Sequence, residues 1–522
     1  MGSKRKKGKE LSVSAPKERA GYFRENRSQF LKTWRPALRE TSDDIGQAWY
    51  DSAARAVESL QNSGFIAGVA DVCTAQIVGS GLNVAVRPDF EALGWTEEFA
   101  RNWSGRVESR WYSYSSNPQE CDAAGRMTHG QMQQAVIRSW LAFGETFALL
   151  PMFRRPSGST LSKIALLPPS RLVMESDGQN LVQGVRVDRW GAPLAYKVRV
   201  KDTDLMSWRD VEYRAFDRDG RYLVAHIFDP LTCAPRGISP LAPVIKVLRQ
   251  VDQYADATLT SAMIQTIFAA TVKTGLMGDA AFAGLRTADD QKEVVDLDGF
   301  AEAKIDWYEN AKIDLFQHGR IGHLMPGDEL EFHASQQSAQ NFDGFMAWLT
   351  REIARCAGVT YESATGDYRG ATYSSVRMAT AEQWNIVLQR RSNIAVPFCQ
   401  ITYQNWLEEE IGSGRIEFPG GLDAFYANRV AATGALWTGP ARPQADDLKT
   451  ARAHEVLHKL GVTTWQQICA DYGLDWREVT DQRAAEKEYA ISKGLPDPHI
   501  YPESKAQATG TEDKTDDPSF AG

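Results

Sequence analysis

Several features that would settle a chain's chemistry at once are missing from these 522 residues. No window approaches the roughly 18–20 consecutive apolar residues that a helix needs to cross a bilayer, so no membrane partner is expected. Cysteine is scarce. Cys73, Cys121, Cys233, Cys356, Cys399 and Cys469 stand far apart and form no Cys-x-x-Cys pair, which argues against a zinc ribbon and against a disulfide framework. Most are expected to be buried free thiols packing as small hydrophobes. There is no Gly-x-x-x-x-Gly-Lys-Ser/Thr loop and no Gly-x-Ser-x-Gly elbow, which speaks against a P-loop ATPase and leaves no nucleophile-elbow hydrolase signature. Positive charge is not in excess either: 59 Lys and Arg against 67 Asp and Glu give a formal net charge of -8. Tight, general DNA binding draws on phosphate neutralisation and usually needs a basic protein, so this chain is not built for it. The basic start, Met1 to Lys9, has no apolar segment behind it and is no secretory signal. Lys6 also occupies the position where a myristoylation signal requires Ser or Thr. Synthesis in the cytosol is the expectation.

What is present is ordinary globular material. Hydrophobic residues make up 43% and charged residues 24%, enough for two to four domains with a substantial core. From Gly46 to Val78 apolar residues recur at threes and fours, and Gly79 and Gly81 end that helical pattern. A shorter helix is expected over Met132 to Phe143. From Thr146 to about Asp229 the period becomes two, with a hairpin turning at Trp190–Pro193. After Pro240 and Pro243 a long helical face runs from about Ala242 to Lys273, roughly 45 Å at 1.5 Å per residue. Glu293–Leu297 and Lys312–Gln317 are short strand candidates. Asn341 to Cys356 is a second helix, with Asn341 as N-cap and Gly358 as its stop. A glycine-bearing loop from Tyr361 to Tyr373 leads into a third helical pattern, Ser374 to Ile411, which Pro397 should kink or break. Asp423 to Leu495 is helix-rich, and no internal repeat is found.

One catalytic motif invites attention. His454-Glu-Val-Leu-His458 matches His-Glu-x-x-His, in which two histidines one turn apart hold zinc and the glutamate acts as base. A catalytic zinc needs a third protein ligand, and none is signposted. The motif fixes only three residues, so a solvated helix face accounts for it more simply. A zinc metallopeptidase using His454, Glu455 and His458 nevertheless stands as one alternative. Adjacent acids such as Asp43-Asp44 and Asp289-Asp290 suit surface turns and helix starts.

The most informative constellation is the order of several segments. Ile77-Val-Gly-Ser-Gly-Leu82, His226-Ile-Phe-Asp229, Arg236-Gly-Ile-Ser-Pro-Leu-Ala-Pro243, Leu324-Met-Pro-Gly-Asp-Glu-Leu-Glu-Phe332 and Thr365-Gly-Asp-Tyr-Arg-Gly-Ala-Thr-Tyr-Ser-Ser375 follow one another around the helices. In this order the chain resembles the lambda-like portal proteins of tailed bacteriophages, from about Gly21 to about Leu495.

The resemblance implies an α+β portal fold: a mainly helical wing, stem and crown, a β-rich wing subdomain and a small α/β clip, assembled as a ring. By position the segments would be a disordered basic arm (1–25), wing (26–240), first stem helix (241–275), clip (276–338), second stem helix (339–358), tunnel loop (359–373), long wing helix (374–412), helical crown (413–500) and disordered acidic tail (501–522). Implied too are a homo-oligomer of about twelve subunits at one capsid vertex and double-stranded DNA passing through its channel during packaging and ejection. The implied partners are the terminase large subunit, the major capsid protein and a head–tail connector or adaptor. The implied setting is the virion of a phage or prophage, with host cytoplasm during assembly. The tunnel-loop candidates are Gly366, Asp367, Tyr368, Arg369 and Gly370. Arg369, the one basic residue at the tip, would make a band of positive charge around a ring. The clip candidates for partner contact are Val294, Val295, Ile313, Leu315 and Phe316. No catalytic residue, metal ligand or cofactor is implied, and the chain is expected not to be an enzyme. Another ring-forming head–tail adaptor is the second alternative, although adaptors are generally much shorter.

Overall fold

The computed structural model describes residues 36–202, 207–229, 234–267, 271–274, 328–331, 342–443 and 447–499, with the single residues Thr33, Leu231 and Asp306. The clip candidates Val294, Val295, Ile313, Leu315 and Phe316 lie outside the described residues, as do the proposed arm, the proposed tail, Cys233 and Asn341.

Two helices stand where one apolar pattern ran. α1 (Thr41–Asn62) and α2 (Gly64–Ile77) meet at Ser63, whose extended backbone (φ -99°, ψ 114°) breaks the run. Gly79 (φ +58°) and Gly81 (φ +136°) then turn the chain into β1 (Asn83–Val86), as expected of helix-stopping glycines. α3 (Glu97–Ser116), the short α4 (Pro118–Cys121) and α5 (His129–Phe143) follow. Thr128 caps α5 in a reciprocal box with Gln131, so the helix begins three residues before the apolar pattern does.

The β region divides into two sheets. β2 (Glu145–Leu149) lies between β3 (Ala165–Leu167) and β8 (Val224–Phe228). A four-stranded antiparallel sheet orders β4 (Leu181–Val182), β5 (Val185–Val187), β6 (Pro193–Asp202) and β7 (Ser207–Arg214) side by side. The expected hairpin joins β5 to β6, closed by the Asp188 amide donating to the Ala192 carbonyl at 2.9 Å. Phe147, Leu172, Val185, Tyr196, Val198 and Val224 form the core shared by the two sheets.

α6 (Ile245–Ile267) is the long helix after the prolines, and it ends earlier than its apolar face suggests. Thr271–Thr274 is a strand, β9, paired antiparallel with β10 (Asp328–Glu331) in the register Thr274↔Asp328 to Thr271↔Glu331. α7 (Phe342–Ala357) packs along α6, with Tyr254 stacked on Phe342 at 5.3 Å and meeting Phe345 edge-on at 5.0 Å. Gly358 (φ +68°) ends it.

After the one-turn α8 (Tyr361–Thr365), α9 (Tyr373–Arg390) runs through a widened π turn, Arg391–Ala395, into α10 (Val396–Gly412). Pro397 stands in the first turn of α10, where its missing N–H would leave a gap in a regular ladder. The π turn absorbs that defect and is the predicted break. α10 forms the centre of the main core. Phe398, Cys399, Tyr403 and Leu407 are fully buried on it, and Trp111, Tyr403, Trp406 and Trp437 pack ring against ring at 5.2–6.0 Å. At its end three consecutive acids take three directions. Glu408 pairs with Arg429, Glu409 accepts the Leu161 and Ser162 amides, and Glu410 pairs with Arg110 and Arg415.

The C-terminal part contains α11 (Gly421–Ala427), α12 (Arg429–Ala432), β11 (Ala435–Thr438), α13 (Asp447–Lys459), α14 (Trp465–Asp471) and α15 (Trp476–Ser492). It is helix-rich as expected, but β11 pairs with β1 and so closes the ends of the main body together. Cys73, Cys121, Cys399 and Cys469 are buried free thiols, and Cys356 is half-buried.

Candidate DNA-channel loop and the root of the paired helices

The segment Gly366–Gly370 is held between two capped helices. The Thr360 hydroxyl accepts the Ser363 amide at the start of α8. Gly366, in the left-handed region (φ +68°), ends α8 by donating its amide to the Glu362 carbonyl. Thr372 opens α9 in a capping box with Ser375. Gly370 is also left-handed (φ +76°), and nothing lies within 4 Å of a Cβ built at either glycine. Backbone conformation, not space, therefore requires glycine at both positions.

The five loop candidates thus share one tight turn, and its charges are already paired. The Asp367 carboxylate accepts the Arg369 backbone amide at 3.0 Å. It also accepts the guanidinium in a fork, Nε to Oδ1 and Nη2 to Oδ2, both at 2.9 Å. The Arg369 fork, first, and its amide hold the Asp367 carboxyl down at about 2; in return the Arg369 pKa rises. The Arg369 side chain is 84% exposed and that of Asp367 24%. The cation expected at the tip is there, but it carries its own counterion. An Asp-x-Arg spacing next to a left-handed glycine could have signalled this, since Asp readily bonds the backbone two residues on.

Tyr368, 57% exposed, faces a cavity of about 620 Å³. Trp384 and Arg391 of the α9–α10 segment and His454 and Leu457 of α13 also line it. Arg391 is buried and tied to α2, donating through Nε to the Ile77 carbonyl and through Nη2 to those of Gln76 and Pro440.

The histidine motif does not converge on a point. His454 Nε2 lies 3.8 Å from Asp471, whereas the exposed His458 donates from Nδ1 to the Thr463 carbonyl at 3.3 Å. Glu455 pairs with Lys459. Among the described residues no three metal-ligating side chains come together.

A second constellation, not found from the sequence, fixes the root of α6 and α7. Glu145, fully buried on β2, accepts Arg236 Nε at 2.9 Å, Arg236 Nη2, and the Gly237 amide at 3.1 Å. His226 Nε2 lies 3.0 Å from the same carboxylate. Burial alone would raise the Glu145 pKa, but Arg236 and His226 outweigh it and hold the carboxyl at about 2. The Trp49 ring covers the Arg236 guanidinium at 4.6 Å. Gly144 and Gly237 make this approach sterically feasible. A Cβ on Gly144 would lie 1.9 Å from the Ile238 carbonyl carbon, and one on Gly237 2.2 Å from the Gly144 oxygen. Two of the quoted sequence segments therefore meet here, through His226 and Arg236. The unread signal was Glu145 itself, a lone acid within an apolar strand.

Comparison with known proteins identifies the family. The profile of the family described as phage portal protein, lambda family, matches residues 27–391. Portal protein B of Escherichia phage lambda is 26% identical over 477 residues, covering 90% of this chain and 89% of that protein. The portal protein of Escherichia phage N15 is 26% identical over 479 residues, with the same coverage. Among solved structures, a chain from the neck of an empty GTA particle computed with C6 symmetry aligns over 89% of this chain and 96% of its own. Its TM-score is 0.41 and its identity 13%. With a family match across most of its length, the chain belongs to the lambda family of phage portal proteins, and its role is structural, in the virion, rather than enzymatic.

Proposed function

We propose that the chain assembles into a ring of about twelve copies whose central channel carries double-stranded DNA into and out of the capsid. The observation that carries the ring is the apolar surface left exposed along the α6–α7 pair. The inner face of α7 is buried through Leu349, Ile353 and Ala354, and α6 is buried at its start through Val247, Leu248 and Val251. Toward the other end of the pair Leu259 is 61%, Phe345 45% and Trp348 58% exposed. Large apolar groups left exposed along paired helices mark a surface covered by another molecule. A neighbouring copy presenting the same helices is the occupant a ring supplies, and the paired helices are then its stem.

The acidic balance supports a conduit. A net charge of -8 per chain repels phosphate at short range and is screened beyond about 8–10 Å in physiological salt, so DNA can slide without sticking. Family membership supports docking of the terminase large subunit during filling and of a head–tail connector afterwards, with the major capsid protein around the ring. The insertion between β9 and β10, including Val294, Val295, Ile313, Leu315 and Phe316, is the proposed docking element. Gly366–Gly370 is proposed as the loop that faces the DNA.

The test of the ring is Leu259→Asp combined with Trp348→Asp. Sedimentation and electron micrographs should show folded monomers where wild type forms rings. Rings of wild-type size from the double variant, or a wild-type protein that stays monomeric in solution and in particles, would overturn the reading.

A further inference from the structure

We propose that Asp367 is a built-in counterion that competes with DNA phosphate for Arg369 and thereby sets how weakly the loop grips the duplex. The inference rests on the reading of this loop as the channel lining, and it adds the residue that tunes the contact.

The geometry supplies the reason. A guanidinium fork pairs with a carboxylate or a phosphate through the same two parallel bonds. Asp367 occupies both prongs that Arg369 presents on one edge, Nε and Nη2. Its carboxylate is also fixed from behind, because Oδ1 takes the Arg369 amide and the Asp367 amide donates to the Thr365 hydroxyl at 3.1 Å. The acceptor is thus held in place by the turn while the arginine, far more exposed, is free to leave it. Asp343, at the start of α7, adds a second negative charge acting on Arg369.

For a passing phosphate, engaging Arg369 therefore means exchanging one forked anion for another. The gain is small in every register. A lone arginine on each copy would instead present a ring of unpaired cations to a polyanion and hold it. The pair lets the loop touch the backbone without stopping it, which an arginine alone could not do and an uncharged loop would not attempt.

The experiment uses assembled rings of the full chain and a short linear DNA duplex of mixed sequence, with affinity measured across a salt series. Asp367→Asn and Asp367→Ser both keep a side-chain oxygen for the Arg369 amide while removing the charge, so the turn has two independent chances to fold. Each should bind the duplex several-fold more tightly at low salt. The dependence of log affinity on log salt should steepen by about 0.9 for every phosphate newly engaged. Arg369→Gln, alone or combined with Asp367→Asn, should abolish that gain. If Arg369→Gln weakens binding or packaging but both Asp367 variants match wild type, the counterion proposal fails and the channel-lining loop stands. If Arg369→Gln, the Asp367 variants and the combination all leave binding and packaging unchanged, the loop is not the channel lining.

Discussion

Replacing Glu145 by alanine is the most demanding test of how the paired helices are anchored. Glu145 and Arg236 are both fully buried, so the substitution leaves a guanidinium inside the protein with no anion beside it. The remaining acceptors of Arg236 are the Gln183 carbonyl at 3.0 Å, the Pro169 carbonyl at 3.4 Å and the Met174 sulfur, none of them charged. Breaking one side of such a buried pair costs about 3–5 kcal/mol. Domains of this kind have total stabilities of about 5–15 kcal/mol, so the loss is a large share. At about 2–4 °C per kcal/mol for a cooperative unit of about 150–250 residues, the melting temperature should fall by roughly 6–20 °C. Tryptophan fluorescence during thermal unfolding reads it, helped by Trp49 lying directly over Arg236. Glu145→Gln should cost less, since the amide oxygen still accepts from Gly237 and the volume is kept. Acid adds a second readout. The folded-state carboxyl is held at about 2, below its usual value, so its stabilising contribution is complete above about pH 4.5 and is lost as pH falls toward 2. The Gln variant should lack that part of the acid lability. A drop of less than about 3 °C for Glu145→Ala, roughly 1 kcal/mol, would refute the claim that this pair carries the anchor.

Gly144→Ala places a Cβ 1.9 Å from the Ile238 carbonyl carbon, so it should destabilise as strongly as Glu145→Ala, read as soluble yield and melting temperature; a neutral result would show that the 237–241 segment can shift. Deleting Gly366–Gly370 should spare folding and ring assembly but impair packaging or retention of full-length DNA, measured as nuclease-protected DNA per particle. Substituting Leu315 or Phe316 with Asp should give rings that form yet bind terminase or connector poorly in pull-down; normal binding counts against the docking assignment. His454→Ala with His458→Ala should leave assembly and packaging near wild type, and stoichiometric zinc with proteolysis lost in Glu455→Ala would reverse that expectation.

What was legible in the sequence was whatever local periodicity and punctuation control. The hairpin at Trp190–Pro193, the stop at Gly79 and Gly81, the second helix, found over Phe342–Ala357, and the disruption near Pro397 depend on neighbours a few residues away. The misread positions depend on partners far along the chain. Thr271–Thr274 continues the apolar spacing of α6, yet it becomes a strand because Asp328–Glu331 offers it a ladder. Its Thr-Val-Lys-Thr composition suits a strand, but without the distant partner that preference has nothing to pair with. The same holds for β11, an isolated Ala435–Thr438 extended segment until β1 meets it. The break at Ser63 carries neither proline nor glycine at the break itself, and only Gly64 just after it hinted that one apolar face would divide in two. In the loop, residue types revealed a mixed-charge tip, but not that Asp367 and Arg369 would satisfy each other.

The two arginine–carboxylate forks show how one interaction serves opposite ends when its surroundings differ. Around Glu145 and Arg236 water is excluded, so separating the ions leaves a bare charge in a low-dielectric interior, and the pair acts as a lock. It holds the segment that leads into α6 against the end of α5, where the Ser239 hydroxyl also donates to the Leu141 carbonyl at 2.7 Å. At Asp367 and Arg369 water surrounds the cation, so either ion can part from the other at little cost. A channel for a long polyanion needs both behaviours. Its walls must not yield as the helix passes, and its contacts must yield at every step. If the proposed loop lines the channel, the burial of Glu145 and the exposure of Arg369 supply them with the same chemical pair.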